Sequence, residues 1–165
     1  MGHETWNGKA TAFTSGEAEQ EAAGRDTQTG TSPHICILLV EDETLIAELI
    51  GEALEEHGFS VHAVPDASKA LAHLSAGAPV DILFTDINLP GDLDGAALAK
   101  RVRELLPDLP VIYASGRWGL LEELRSLPLS ITLQKPYSPA RACAAVEVLM
   151  SKRTAMLESR KALAS

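Results

Sequence analysis

A chain of 165 residues with 45% apolar and 22% charged side chains has the size and make-up of one globular domain with tails, and 12 Gly with 9 Pro exclude collagen-like, mucin-like and wholly disordered classes. A formal charge of −9 disfavours direct grip on nucleic acid, where a basic face must replace the counterions around phosphates; it suits a cation or a protein partner with basic contacts. Cys36 and Cys143 have neither CxxC spacing nor flanking histidine ligands, so neither a disulfide framework nor a zinc site is expected; both thiols read as buried packing residues.

Residues 1–33 contain no Ile, Leu or Val but five Gly and six Thr, with two bases against five acids. Such a stretch cannot repay its ordering entropy, and a disordered leader ending at Ser32-Pro33 is expected. Met1 to Lys9 lacks a basic region followed by an apolar stretch, and no apolar run is long enough to span a bilayer. No membrane association is therefore expected, and the cytoplasm is the expected compartment.

From His34 onward, short apolar runs alternate with amphipathic stretches, the pattern of a parallel sheet covered on both faces. Strands are predicted at Ile35 to Val40, Ser60 to Val64, Val80 to Thr85, Pro110 to Ala114 and Ser130 to Gln134. Helices are predicted at Thr44 to His57, with Leu45, Leu49 and Leu54 along one side, and at Ala67 to Ser75 behind an Asp66 cap. Further helices follow at Asp94 to Leu106, Trp118 to Ser126 and from Ser138 onward. The expected fold is α/β, a doubly wound (βα)5 unit over residues 34–150.

Right-handed crossovers gather the residues that follow each strand at one sheet edge, where open α/β sheets bind ligands. Those residues are Glu41-Asp42-Glu43, Asp86, Ser115 and Lys135-Pro136. Crowded carboxylates stay ionised at neutral pH only beside a compensating cation, and oxygen ligands from Asp42 and Asp86, with Glu41 near, suit Mg²⁺. Lys135 and Ser115 would face the same small anion as a charge and a hydroxyl donor. An Asp beside a metal can attack phosphorus, and Asp86, alone at the end of an apolar strand, is the candidate nucleophile. Taken singly, Glu41-Asp42-Glu43 would be a solvated helix start and Asp86 a cap; their joint placement at one edge overrides those readings.

Ile37-Leu38-Leu39-Val40-Glu41-Asp42-Glu43, Thr85-Asp86-Ile87-Asn88-Leu89-Pro90, Asp94-Gly95, Ala114-Ser115-Gly116 and Lys135-Pro136-Tyr137 together resemble the receiver domain of two-component response regulators. The resemblance covers about residues 35–150 and implies strand order 2-1-3-4-5, as in flavodoxin. It implies that Asp86 accepts a phosphoryl group from a sensor histidine kinase or histidine phosphotransfer protein. Glu41, Asp42, Asp86 and the backbone carbonyl of Asn88 would organise Mg²⁺, Ser115 would bond the phosphoryl group on activation, and Lys135 would pair with it across a cis Lys135-Pro136 bond. Asn88 and Arg117 would flank the path of the hydrolytic water.

Two departures accompany the match. The loop from Asp86 to Gly95 looks one residue longer than in the chemotaxis-type receiver, and Thr132 stands where many receivers carry a rotating aromatic. The pieces IYASG and KPY resemble a subset of single-domain receivers found in alphaproteobacteria, in which Tyr113 or Tyr137 would take over signalling, although core packing is the weightier reading of Tyr113. His57, His62 and His73 follow no ligand spacing and read as surface residues.

Residues 151–165, with four bases and one acid, are too short for a DNA-binding output domain; they read as a frayed helical tail, with Val146, Leu149, Met156 and Leu163 on a coarse heptad line that admits a weak phosphorylation-dependent homodimer. The expected function is that of a phosphoacceptor acting through a downstream protein, catalysing only its own phosphorylation and dephosphorylation. The rival readings are a phosphate sink without a target and a phosphorylation-independent interaction module on the same scaffold. An aspartate-nucleophile phosphatase fits poorly, because the nearest acid after Asp86 is Asp92.

Overall fold

In a computed structural model of the chain, residues 34–165 are described, so the expected leader lies outside the described residues. Five strands, β1 (Cys36–Val40), β2 (Ser60–Val64), β3 (Ile82–Asp86), β4 (Val111–Ser115) and β5 (Ser130–Gln134), form one parallel sheet in the order β2-β1-β3-β4-β5. Five helices alternate with them: α1 (Thr44–Glu56), α2 (Ala67–Ser75), α3 (Gly95–Leu105), α4 (Trp118–Arg125) and α5 (Pro139–Leu163).

Side chains alternate across the pleat, so each central strand feeds two cores. Leu38, Val40, Leu83 and Tyr113 pack beneath α2, α3 and α4, whereas Ile37, Leu39, Phe84 and Ile112 pack beneath α1 and α5. The near-continuous apolar runs ILFTD and VIYAS are buried at every position, while edge strand β2 is half exposed.

Strands β3 and β4 each end one residue later than their apolar runs predict. Asp86 pairs with Ala114, and Ser115 with Gln134, so both polar residues are held in the ladder itself. The predicted side of α1 is also corrected: Leu45 and Leu49 are 81% and 55% exposed, and Ile50 and Leu54 face the sheet with Ile46 packed against the same core. Both stripes have helical spacing, and the one facing the sheet is about 100° further round the helix.

Asp66, as predicted, caps α2 by accepting from the Lys69 amide at 2.8 Å, and Asp94 caps α3 by accepting from the Ala97 amide at 2.7 Å. Helix α5 continues through Leu163, and Arg160 meets Asp108 with nitrogens 2.6 and 3.1 Å from the two carboxylate oxygens. Of the heptad line, Val146 and Leu149 lie in the core, whereas Leu163 is exposed. Among the described residues no helix is long and apolar enough to cross a membrane.

Candidate functional site

All five parallel strands deliver their carboxyl ends to one edge, and four of them supply polar groups there. Glu41 follows β1 with 4% exposure, its amide tied to the Val64 carbonyl at 3.1 Å, while Asp42 beside it is exposed. Asp86 ends β3 at 5% exposure, Ser115 ends β4 fully buried, and Lys135 follows β5 with its amide donating to the Ser115 carbonyl at 2.9 Å. The Lys135-Pro136 bond is cis.

The ammonium of Lys135 donates to Asp86 Oδ2 at 2.7 Å and to Glu41 Oε2 at 2.9 Å. The other oxygen of Asp86 accepts from the Asn88 amide at 2.9 Å, and Asn88 itself lies on the exposed loop beyond. One oxygen from each of Glu41, Asp42 and Asp86 lies within 4.8 Å of the others, the one such trio of His, Cys, Asp or Glu among the described residues. Hard oxygen donors at that spacing fit Mg²⁺, which binds through one or two carboxylates and keeps several waters.

Charge in this basin is balanced by burial against pairing. Desolvation raises the Glu41 carboxyl above its usual range although the bond from Lys135 pulls the other way. Burial opposes the charge on Lys135, yet its hydrogen bonds to Asp86 and Glu41 and their negative charges prevail and hold the ammonium well above its ordinary value. Lys135 is therefore a permanent cation at any physiological pH, available to neutralise an anion at Asp86.

The Ser115 hydroxyl accepts from the Arg117 amide at 3.1 Å, so at rest it is engaged with the start of α4. Tyr113 is 2% exposed within the core beneath α4, and burial raises its phenol. Its ladder neighbour Thr132 lines a shallow groove with Trp118, Leu121, Arg125 and Arg141. Tyr137 packs at a tilt against Phe84, ring centroids 6.0 Å apart, and burial, reinforced by the charges of Glu41 and Asp86, raises its phenol against the opposing charge of Lys135. Tyr137 also walls a cleft of about 380 Å³ with Ile46, Leu49, Ile50, Lys135 and Pro136.

Sequence reasoning named Glu41, Asp42, Asp86, Asn88, Ser115 and Lys135 for the site and Tyr113, Thr132 and Tyr137 as switch positions, but gave Gly95, quoted there only within a motif, no role of its own. An added methyl there would collide with the carbonyl oxygen of Asp86 and stand 2.7 Å from Thr85 Oγ1. The Gly95 amide donates to the Ile87 carbonyl at 2.9 Å, so α3 presses its first residue against the strand end that carries Asp86. The Asp94-Gly95 pair was the available signal; its close-packing meaning becomes visible once β3 and α3 are set side by side.

The model for the response regulator receiver domain matches residues 37–147. Among curated relatives, the transcriptional regulatory protein CreB of Escherichia coli is 30% identical over 118 residues, 70% of this chain and 51% of its own length. The transcriptional regulatory protein CseB of Streptomyces coelicolor is 34% identical, with 70% and 49% covered. The chain thus spans about half the length of these curated relatives. Among solved structures, a response regulator receiver protein from Sinorhizobium medicae is similar at a TM-score of 0.67 and 35% identity, covering 73% of this chain and 98% of that one.

Proposed function

The chain belongs to the response regulator receiver family, and we propose that Asp86 is its phosphoacceptor, taking a phosphoryl group from the phosphohistidine of a sensor histidine kinase or histidine phosphotransfer protein. The observation that carries this reading is the convergence of three carboxylates with the Lys135 ammonium, 2.7 Å from Asp86 Oδ2.

Oxygen Oδ1 or Oδ2 of Asp86 attacks phosphorus, the P–N bond of the donor breaks, and the imidazole leaves as a neutral ring after taking up a proton. The product is an aspartyl-phosphate. Lys135, already oriented, compensates the charge on the transferring oxygens without reorganising. Ser115 exchanges its bond from the Arg117 amide for one that it donates to the phosphoryl group, which frees the start of α4. Bound Mg²⁺, held by Glu41, Asp42, Asp86 and the Asn88 carbonyl, would supply electrostatic stabilisation of the phosphoryl oxygens. Hydrolysis returns the carboxylate when water attacks phosphorus, and Asn88 and Arg117 flank its approach. Signalling then proceeds through contacts with a downstream protein, Tyr113, Thr132 and Tyr137 being the candidate switch positions. The phosphate-sink reading draws on Thr132 alone, since that side chain leaves β5 without an aromatic to rotate.

Replacing Asp42 with Asn is expected to lower Mg²⁺ affinity by about tenfold or more, because an oxygen ligand loses its charge at an exposed position that plays no part in the core. Quenching of Trp118, which opens α4 and is 65% exposed, measures it in a Trp6→Phe background. Unchanged affinity would remove Asp42 from the site.

Leu49 stands exposed on the wall of the cleft that Lys135 also lines, with Leu45 exposed one turn earlier on α1, and an exposed apolar patch at the rim of a reaction site suits the docking of the phosphodonor protein. Leu49→Glu is expected to slow transfer from a phosphorylated protein donor about tenfold while labelling by acetyl phosphate proceeds at the parental rate. Equal slowing of both would show that the substitution had damaged the chemistry and not the docking.

A further inference from the structure

Strand β2 is an edge of the sheet and pairs with β1 alone. The Ser60 amide donates to the Ile35 carbonyl at 2.9 Å, and the Val64 carbonyl accepts from the Glu41 amide at 3.1 Å, so Ser60, His62 and Val64 direct their backbone groups to β1. Alternate residues of a parallel strand point the other way. The amides and carbonyls of Val61 and Ala63 therefore face outward, with no partner strand among the described residues. Sheet edges are ordinarily blunted by Lys, Pro or a bulge; β2, with the sequence SVHAV, contains neither residue and pairs with β1 in unbroken register.

A groove of about 410 Å³ runs between this edge and helix α1. Val61, Ala63, Ala47 and Gly51 give it a floor of small apolar groups, and Glu48, Glu52 and Glu55 line it with carboxylates one helical turn apart. All three glutamates are exposed, and none takes part in an ion pair among the described residues. An open backbone edge and a row of uncompensated carboxylates thus border one channel.

We propose that this channel is a docking groove for an extended basic segment of a partner protein, which adds to the sheet as a strand beside β2. The spacings agree. Same-side side chains of a strand recur about 6.7 Å apart, and Glu48 and Glu52, four helical residues apart, are about 6 Å apart along α1. Alternate Lys or Arg side chains of the incoming strand lay their stems over Ala47 and Gly51 and bring their cations to successive carboxylates. A second copy of this chain fits worse: antiparallel pairing of two β2 edges puts both α1 helices on one face and sets carboxylate against carboxylate. The formal charge of −9 also favours a basic partner over a second copy.

The probe is a short end-blocked peptide of alternating Lys and Val, labelled with a fluorophore and titrated with the full chain in excess Mg²⁺. Binding should raise its anisotropy and slow amide hydrogen exchange at Val61 and Ala63 about tenfold or more. Glu48→Gln combined with Glu52→Gln, both at exposed positions, should weaken binding about fivefold or more, and added salt should weaken it in the parent. Ala63→Pro removes an outward amide and leaves the β1 ladder intact; it should weaken binding about tenfold with native circular dichroism. The same peptide N-methylated along one edge keeps its charge and should bind at least tenfold more weakly to the parent chain, a comparison that needs no variant to fold. Failure of the unmethylated peptide to bind, equal affinity of the methylated one, or affinity unchanged by the paired glutamine substitutions would overturn the proposal. So would a dimer of the parent chain in sedimentation that Ala63→Pro dissociates, which would assign the edge to a second copy.

Discussion

Asp86→Asn is expected to lose phosphoryl labelling by acetyl phosphate and Mg²⁺ by a factor on the order of 10³ or more, the scale on which removal of a nucleophile acts. The amide nitrogen has no lone pair to offer phosphorus, and the remaining oxygen carries too little charge to replace the carboxylate. Neighbouring acids cannot substitute. Glu41 has one oxygen committed to Lys135 and the other to the Glu43 amide, and Asp42 is exposed to solvent. The variant should fold, since Asn matches Asp in shape and removes one of three crowded negative charges. Intact mass measured after incubation with the donor, with treatment by hydroxylamine to cleave an acyl phosphate, decides the matter. Full-stoichiometry labelling in the variant would place the acceptor elsewhere.

A second substitution should unfold the site from beneath. Gly95→Ala is expected to cost about 3 kcal/mol of stability, at the upper end for overpacking, because the added methyl meets backbone at Asp86 and cannot be relieved by a side-chain rotation. Either α3 retreats and surrenders the Gly95 to Ile87 hydrogen bond, or the end of β3 shifts and carries the Asp86 carboxylate away from Lys135. Urea unfolding gives the cost as a fall in midpoint at constant slope. Gly119→Ala is the control: no atom lies within 4 Å of its added methyl, and in α4 the change should be neutral or slightly stabilising. Equal stability of the two variants would refute the close-packing role of Gly95.

The extent to which these features were legible in the residues differs by the range of the interaction. Strands β1, β3 and β4 are readable because both their faces are covered, which turns ILLV, ILFT and VIY into apolar runs without helical period. Their order was supplied by the match to a receiver, not by periodicity. Glu41, Asp42, Asp86, Ser115 and Lys135 are readable because topology alone sends the residue after each parallel strand to the same edge. Helix α1 was misread because it carries two apolar stripes, and sequence does not say which one meets the sheet. The stacking of His62 in β2 on His73 in α2, ring centroids 3.9 Å apart, was invisible because neither spacing along the chain nor either element contains it; it exists where a helix crosses a strand.

The bond from Lys135 to Glu41 joins residues 94 apart in sequence, and that from Lys135 to Asp86 joins residues 49 apart. No fragment of the chain contains both partners of the longer bond unless it holds all four central and edge strands between them, so the basin forms only once β1, β3 and β5 have docked in register. Contacts of such range are entropically expensive to close and tend to slow folding. Ion affinity at that edge is therefore a readout of the completed fold rather than of any local segment. By mass action, Mg²⁺ at a hundred times its dissociation constant would deepen the native well by about 2.7 kcal/mol while leaving the unfolded ensemble untouched.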